Sequence, residues 1–194
     1  MRRMRNGSLV NNHCTFLQQR AGSVYMEFTV LASLFFTLLF GVVEFTYAMW
    51  QWNAATKAVE AGVRLAVVSD PGPVALREPH VTTGTTGNRV SASAYAYTCG
   101  GDGSGGCDAA AMNRIVTRMQ RFMPSLQPNE VEVRYVANGL AISGSHGGLV
   151  PTVEVRIVNK QLATAMLGFL GIDEIALPTV GQSMIAEDLK STYP

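Results

Sequence analysis

From Phe28 to Val43 the chain is predominantly hydrophobic, FTVLASLFFTLLFGVV, and no charged residue falls in the run. With its flanks, Ser23–Met49, the stretch is about 27 residues, or ~40 Å as an α-helix. A bilayer's hydrocarbon core is ~30 Å thick, so this helix spans it with residues to spare. The pattern then changes rather than stops. QWNAATKAVEAGVRLAVVSDPG keeps helical periodicity, with Asn53, Lys57, Glu60 and Arg64 on one face. Ala54, Ala58, Ala61 and Leu65 fall on another face, and small residues there suit close packing against a helix or a sheet. SDPG at 69–72 supplies the stop. The spacing predicts one helix of about 45 residues, near 65–70 Å long.

Beyond it the pattern is mixed. Residues 71–107 are rich in Gly, Thr, Ser and Pro and read as largely irregular, with one strand in NRVSASAYAYTC, 88–99. There Tyr95 and Tyr97 read as sheet-face residues. CDAAAMNRIVTRMQRFMPSL predicts a helix capped by Asp108 and ended by Pro124. Met112, Ile115, Val116, Met119 and Phe122 form its apolar stripe, with Arg114, Arg118 and Arg121 on the solvent side. EVEVRYVANGLAIS, 130–143, reads as a β-hairpin turning at Asn138-Gly139. VPTVEVRIVN, 150–159, alternates strictly, and ALPTVGQSMIAED, 176–188, is a further strand. Between these two, QLATAMLGFLG reads as a short apolar helix or loop. Its Leu162, Met166, Leu167, Phe169 and Leu170 either pack under the sheet or form an exposed contact patch. The fold class is therefore α+β: a long N-terminal helix, then a small antiparallel sheet with one or two short helices.

Charge orients the chain. Of 15 basic and 14 acidic residues, residues 1–22 hold Arg2, Arg3, Arg5 and Arg20 and no acid. Excess positive charge marks the cytoplasmic side of a span, so the bulk of the chain is expected outside. Tyr47, Trp50 and Trp52 cluster at the far end of the run, where amphipathic rings anchor at the interface. The expected organisation is a basic cytoplasmic leader, 1–22, a transmembrane helix, 23–49, its extramembrane continuation, 50–69, and a periplasmic domain, 70–194. No basic stripe follows residue 22, which excludes a nucleic-acid-binding surface. A secretory signal peptide fits poorly: the run is long and VVEFTYAMW offers no small-x-small cleavage site. A plain signal anchor leaves Glu27 and Glu44 unexplained, since charges at the ends of a span cost a few kcal/mol unless satisfied.

Candidate chemistry is sparse. Cys99 and Cys107 flank GGDGSGG, a loop flexible enough to let them meet. In an oxidising compartment they are a candidate disulfide; the alternative is two free thiols. Cys14 lies in the leader. No four-ligand zinc set can be assembled, and Asp102 and Asp108 lack the spacing of an EF-hand. His13, His80 and His146 are scattered. There is no nucleophile elbow, P-loop, HExxH or dinucleotide fingerprint. Glu27 and Glu44 are roughly 25 Å apart along one helix, too far to act as an acid–base pair. Neither an enzyme, a cofactor nor a metal site is expected.

The arrangement resembles the type IV pilin superfamily and, more narrowly, TadE-like pseudopilins, the minor pilin-like proteins of Tad (tight adherence) pilus systems. The residues that carry the likeness are Gly22-Ser-Val-Tyr-Met-Glu27-Phe28, then Phe40-Gly41-Val-Val-Glu44-Phe45, then AATKAVEAGVRLAVV with Gly62 and Arg64. Ala61 intrudes after Glu60. The likeness is specific over residues 20–68, weak across 70–150 and moderate at the closing LPTVGQSMIAED. It implies cleavage between Gly22 and Ser23 by a prepilin peptidase, which would put Glu27 at the fifth mature position, followed by Phe28. Glu27 would then pair with the new N-terminal amine. Gly41, Glu44 and Phe45 form the second motif. The implied role is assembly of a Tad/Flp-type adhesion pilus from the inner membrane. The implied partners are the peptidase, other pilin or pseudopilin subunits and the assembly machinery. The competing reading is an uncleaved, membrane-anchored periplasmic binding or adaptor protein.

Overall fold

A computed structural model describes residues 20–76, 91–92, 95–140, 150–164, 166, 168, 171, 174–186 and 189. The leader through residue 19, with Cys14, lies outside the described residues, as do the three histidines and Leu167, Phe169 and Leu170.

Helix α1 runs from Arg20 to Ala66. The chain divides into two compact units, residues 1–43 and 44–194. In the first, the described part is the apolar stretch of α1. Its side chains are uncovered: Val24, Tyr25, Phe28, Leu31, Phe35 and Leu38 are all exposed. Its hydroxyls are satisfied locally. Thr29 donates to the Tyr25 carbonyl, Ser33 to that of Val30 and Thr37 to that of Ser33, each at 2.8 Å. Such bonding removes polar cost from a segment otherwise suited to lipid.

The second unit is an α+β domain. Strands β1 (Ala96–Gly100), β2 (Val131–Ala137), β3 (Pro151–Ile157) and β6 (Val180–Ile185) form an antiparallel sheet in the order β1-β2-β3-β6. Strands β4 (Gln161–Ala163) and β5 (Glu174–Ala176) form a separate antiparallel pair. Helix α2 (Ala109–Gln120) is capped by Asp108, whose Oδ1 accepts the Ala110 N–H at 2.8 Å.

Strict alternation puts Val131, Val133, Tyr135, Val153, Val155 and Ile157 on the buried face of the sheet. Opposite them lie Met112, Ile115, Val116 and Met119 of α2, and Ala55, Ala58, Val59, Val63 and Ala66 of α1, in one core. Each fully buried branched side chain contributes roughly 1.5–3 kcal/mol. The other face carries charges at registered positions. Arg156 Nη2 lies 3.2 Å from Glu132 and Nε lies 3.4 Å from Glu154. These are partly exposed pairs, worth at most about 1 kcal/mol each.

Four details depart from the sequence reading. The buried face of α1 is Ala55, Ala58, Val59, Gly62, Val63 and Ala66, rotated one position from the expected one; Ala54, Ala61 and Leu65 are only half-buried. Phe122 follows the end of α2 and is exposed, with Arg118 6.0 Å over its ring, and Met123 is buried in its stead. Of the hairpin read at 130–143, the first strand and the turn are described. Asn138 does turn the chain, its Oδ1 accepting the Leu140 N–H, but β2 has β1 on one edge and β3 on the other. Residues 141–143 of the expected second arm lie outside the described residues. Finally, the start of QLATAMLGFLG is strand β4, with Leu162 paired to Ile175.

Candidate functional site

Two acidic motifs sit on α1, and their environments differ. At the first, Gly22 has open space around it and Ser23 lies one turn before Glu27. The Ser23 hydroxyl donates to Glu27 Oε1 at 3.2 Å. Glu27 and Phe28 are exposed, Phe28 to 69%. The carboxylate thus stands on an apolar, uncovered helix with one hydroxyl against it.

At the second motif, Gly41 is open on all sides and Phe45 is exposed, but Glu44 between them is buried, 6% exposed. Its Oε2 accepts the backbone N–H of Met166 at 2.8 Å. Glu44 opens a stripe that continues through Ala48, Gln51, Ala55, Ala58, Gly62 and Ala66, at the three- and four-residue spacing that keeps one helix face against its neighbour. Gly62 shows why that face is small. A methyl group built there would lie 2.8 Å from both Cγ and Sδ of Met119, and 3.5 Å from Val155. Helix, helix and sheet meet at this point only because the side chain is absent.

Outward of Glu44, Tyr47 and Trp50 stack with ring centroids 6.0 Å apart, and Trp50 and Trp52 are exposed. Further along α1, Glu60 accepts from both Lys57 at 2.9 Å and Arg64 at 2.6 Å. The Lys57 contact and charge, then Arg64, hold its carboxyl below the usual carboxylate range.

Cys99 and Cys107 are joined by a disulfide with Cα atoms 5.8 Å apart. The glycine-rich loop between them is folded rather than floppy. Gly100 N–H donates to Ser104 O, Gly101 N–H to Val131 O and Ser104 N–H to Asp102 Oδ1. Gly105 has φ +86°, and any side chain there would meet the Thr98 carbonyl. That backbone is open only to glycine. The Ser104 hydrogen bonds lower the Asp102 carboxyl. Among the described residues no group of three or more His, Cys, Asp or Glu is placed to hold a metal ion.

A buried cation was missed by the sequence reading. Lys160 is 7% exposed, and its Nζ donates to the Ser125 carbonyl at 2.6 Å and to Glu130 Oε2 at 3.0 Å. Asn159 before it has φ +54°, which turns the chain between β3 and β4. Neither residue carries a motif that would announce this.

Residues 22–64 match the family model described as TadE-like protein. Over this segment, less than a quarter of its length, the chain is similar to TadE-like proteins. The match opens on Gly22 and closes on Arg64, so it takes in both acidic motifs and the packing stripe down to Gly62. No curated protein and no solved structure matches the chain. Among the described residues, Gly22–Ala66 is a helix long and apolar enough to cross a membrane, with a mean hydropathy of 2.1 over its most apolar window. The matched segment takes in most of a helix long and apolar enough to cross a membrane and most of the helix face that packs into the α+β core.

Proposed function

We propose that this protein is a minor pseudopilin of a Tad/Flp-type pilus, cut by a prepilin peptidase between Gly22 and Ser23. The observation that carries the reading is Glu27 at the head of an uncovered apolar helix, with Ser23 against it, where the TadE-like match begins. Cleavage leaves an ammonium on Ser23, one helical turn, ~6 Å of rise, from that carboxylate. An ion pair there satisfies a charge that is otherwise expensive in lipid. Phe28 and the apolar run that follows supply a surface on which other pilin or pseudopilin helices pack.

In this account the N-terminus faces the cytoplasm and the α+β domain beyond the helix, 70–194, faces the periplasm. The four leader arginines and the Cys99–Cys107 disulfide support that orientation. The protein carries out no reaction. It is a substrate of the peptidase and a part of the assembly apparatus at the inner membrane. Expressing it with and without the cognate peptidase tests the reading. A shift to faster migration on immunoblots, dependent on the peptidase and abolished by Gly22→Leu, is expected; migration unaffected by either contradicts it.

A further inference from the structure

Within the α+β unit, the solvent side of α1 and α2 is not a uniform polar face. An open groove runs between the last turns of α1 and the end of α2. Its floor is apolar. Ala61, Leu65 and, just past the end of α1, Val68 follow one another at three- and four-residue spacing, and Phe122 faces them from the end of α2. Val68 is 57% and Phe122 43% exposed, so both gain from being covered.

The rim is cationic. Lys57, Arg64 and Arg118 border the groove against a single carboxylate, Glu60. Glu60 accepts hydrogen bonds from both Lys57 and Arg64, so one negative charge is shared by two cations. Arg118 lies over the Phe122 ring and makes no ion pair among the described residues. The sign does not alternate along α2 either. Arg114, Arg118 and Arg121 are exposed and recur at the spacing of one helix face, and no acid occurs from Ala109 to Asn129.

An apolar floor inside a charged rim is the form of a contact surface. A cleft between two helices takes a third helix, whose side chains enter it as ridges. From Ala61 to Val68 the floor advances about 10 Å of helix rise, which matches two turns of a helix laid along it. The excess of cations selects a partner with carboxylates beside its apolar stripe. It disfavours a second copy seated face to face, which would set arginine against arginine.

We propose that this groove is the docking site for an acidic amphipathic helix of a partner protein, whose apolar stripe covers Leu65, Val68 and Phe122 and whose carboxylates meet Lys57, Arg64 and Arg118. The proposal is independent of cleavage at Gly22, and its test reads binding alone.

The test uses the full chain in phosphatidylcholine nanodiscs, with empty discs as background. The probe is a fluorescein-labelled, alanine-based helical peptide of about five turns, with leucine at every third or fourth position and glutamate on both flanks. A second peptide has lysine in place of glutamate, and a third has the first one's composition scrambled so that no stripe forms. Fluorescence anisotropy is expected to show saturable binding of the glutamate peptide only, weakening several-fold as salt is raised from ~0.05 to ~0.3 M. Arg118→Glu is expected to weaken that binding about tenfold, with the melting temperature unchanged, and to gain affinity for the lysine peptide. Phe122→Ala is expected to weaken binding without altering the salt dependence. The proposal is overturned by no saturable binding of the glutamate peptide, by equal binding of the lysine or scrambled peptide, or by affinity unaltered in Arg118→Glu. A dimer of the parent chain that Arg118→Glu dissociates would give the groove to a second copy and overturn it as well.

Discussion

Glu44 and Met166 are 122 positions apart in sequence and 2.8 Å apart in space, carboxylate oxygen to amide nitrogen. This bond joins the first residue of the packing stripe on α1 to the connection between β4 and β5. Removing the acceptor takes the partner from a part-buried amide, which costs about 1 kcal/mol. Glu44→Ala is expected to lower the melting temperature of the detergent-solubilised chain by several degrees, and Glu44→Gln, which retains a carbonyl acceptor, by less. Thermal unfolding followed by circular dichroism measures both; equal melting temperatures for Glu44→Ala and the parent contradict the assignment.

Lys160 and Glu130 are a buried pair, with side chains 8% and 16% exposed. Leaving one charge of such a pair buried alone costs about 3–5 kcal/mol, whereas replacing both by apolar groups is often close to neutral. Lys160→Met and Glu130→Leu are each expected to destabilise the domain strongly, and the double variant to recover most of the loss. A double-mutant cycle by urea unfolding reads the coupling; additive effects would mean that the two do not act as a pair.

Gly62 is the point of closest approach between α1, Met119 of α2 and Val155 of β3. Gly62→Leu forces displacement of Met119 and is expected to cost about 1–3 kcal/mol by overpacking. Gly62→Ala costs less, because alanine's better helix propensity, worth ~1 kcal/mol, offsets part of the clash. Chemical denaturation of the two variants checks the order.

The long helix, α2 and the inner faces of β2 and β3 were legible in the sequence because each is decided by local periodicity. The misread elements were decided by contacts from elsewhere. Asn138-Gly139 does make its turn, with Gly139 at φ +76°, yet the strand that follows in space is β3, because β1 and β3 take both edges of β2. Alanines at 54, 55, 58 and 61 permit two small-residue faces on α1, and only Met119 and Val155 against Gly62 choose between them. Glu44 was legible as an anomaly but not in its solution. Its partner is a backbone amide, and every residue but proline carries one.

The Cys99–Cys107 disulfide closes a short loop, with a sequence separation of 8. Loss of such a crosslink removes about 2.5 kcal/mol in the chain-entropy account. Cys107→Ser is expected to lower the urea midpoint accordingly. In the parent chain, alkylation under denaturing conditions should modify one cysteine, Cys14 if the leader is retained or none if it is lost, and two more after reduction. Equal alkylation with and without reductant would contradict the bond.

The central claim is that Glu27 stands ready for an amine created at Ser23. The N-terminal sequence of the protein purified from cells that assemble the pilus tests it most directly. The account predicts a chain beginning Ser23-Val24-Tyr25-Met26-Glu27 when the peptidase is present, and the intact leader when it is deleted. Chains recovered from piliated cells with Gly22 and the residues before it still attached would contradict it.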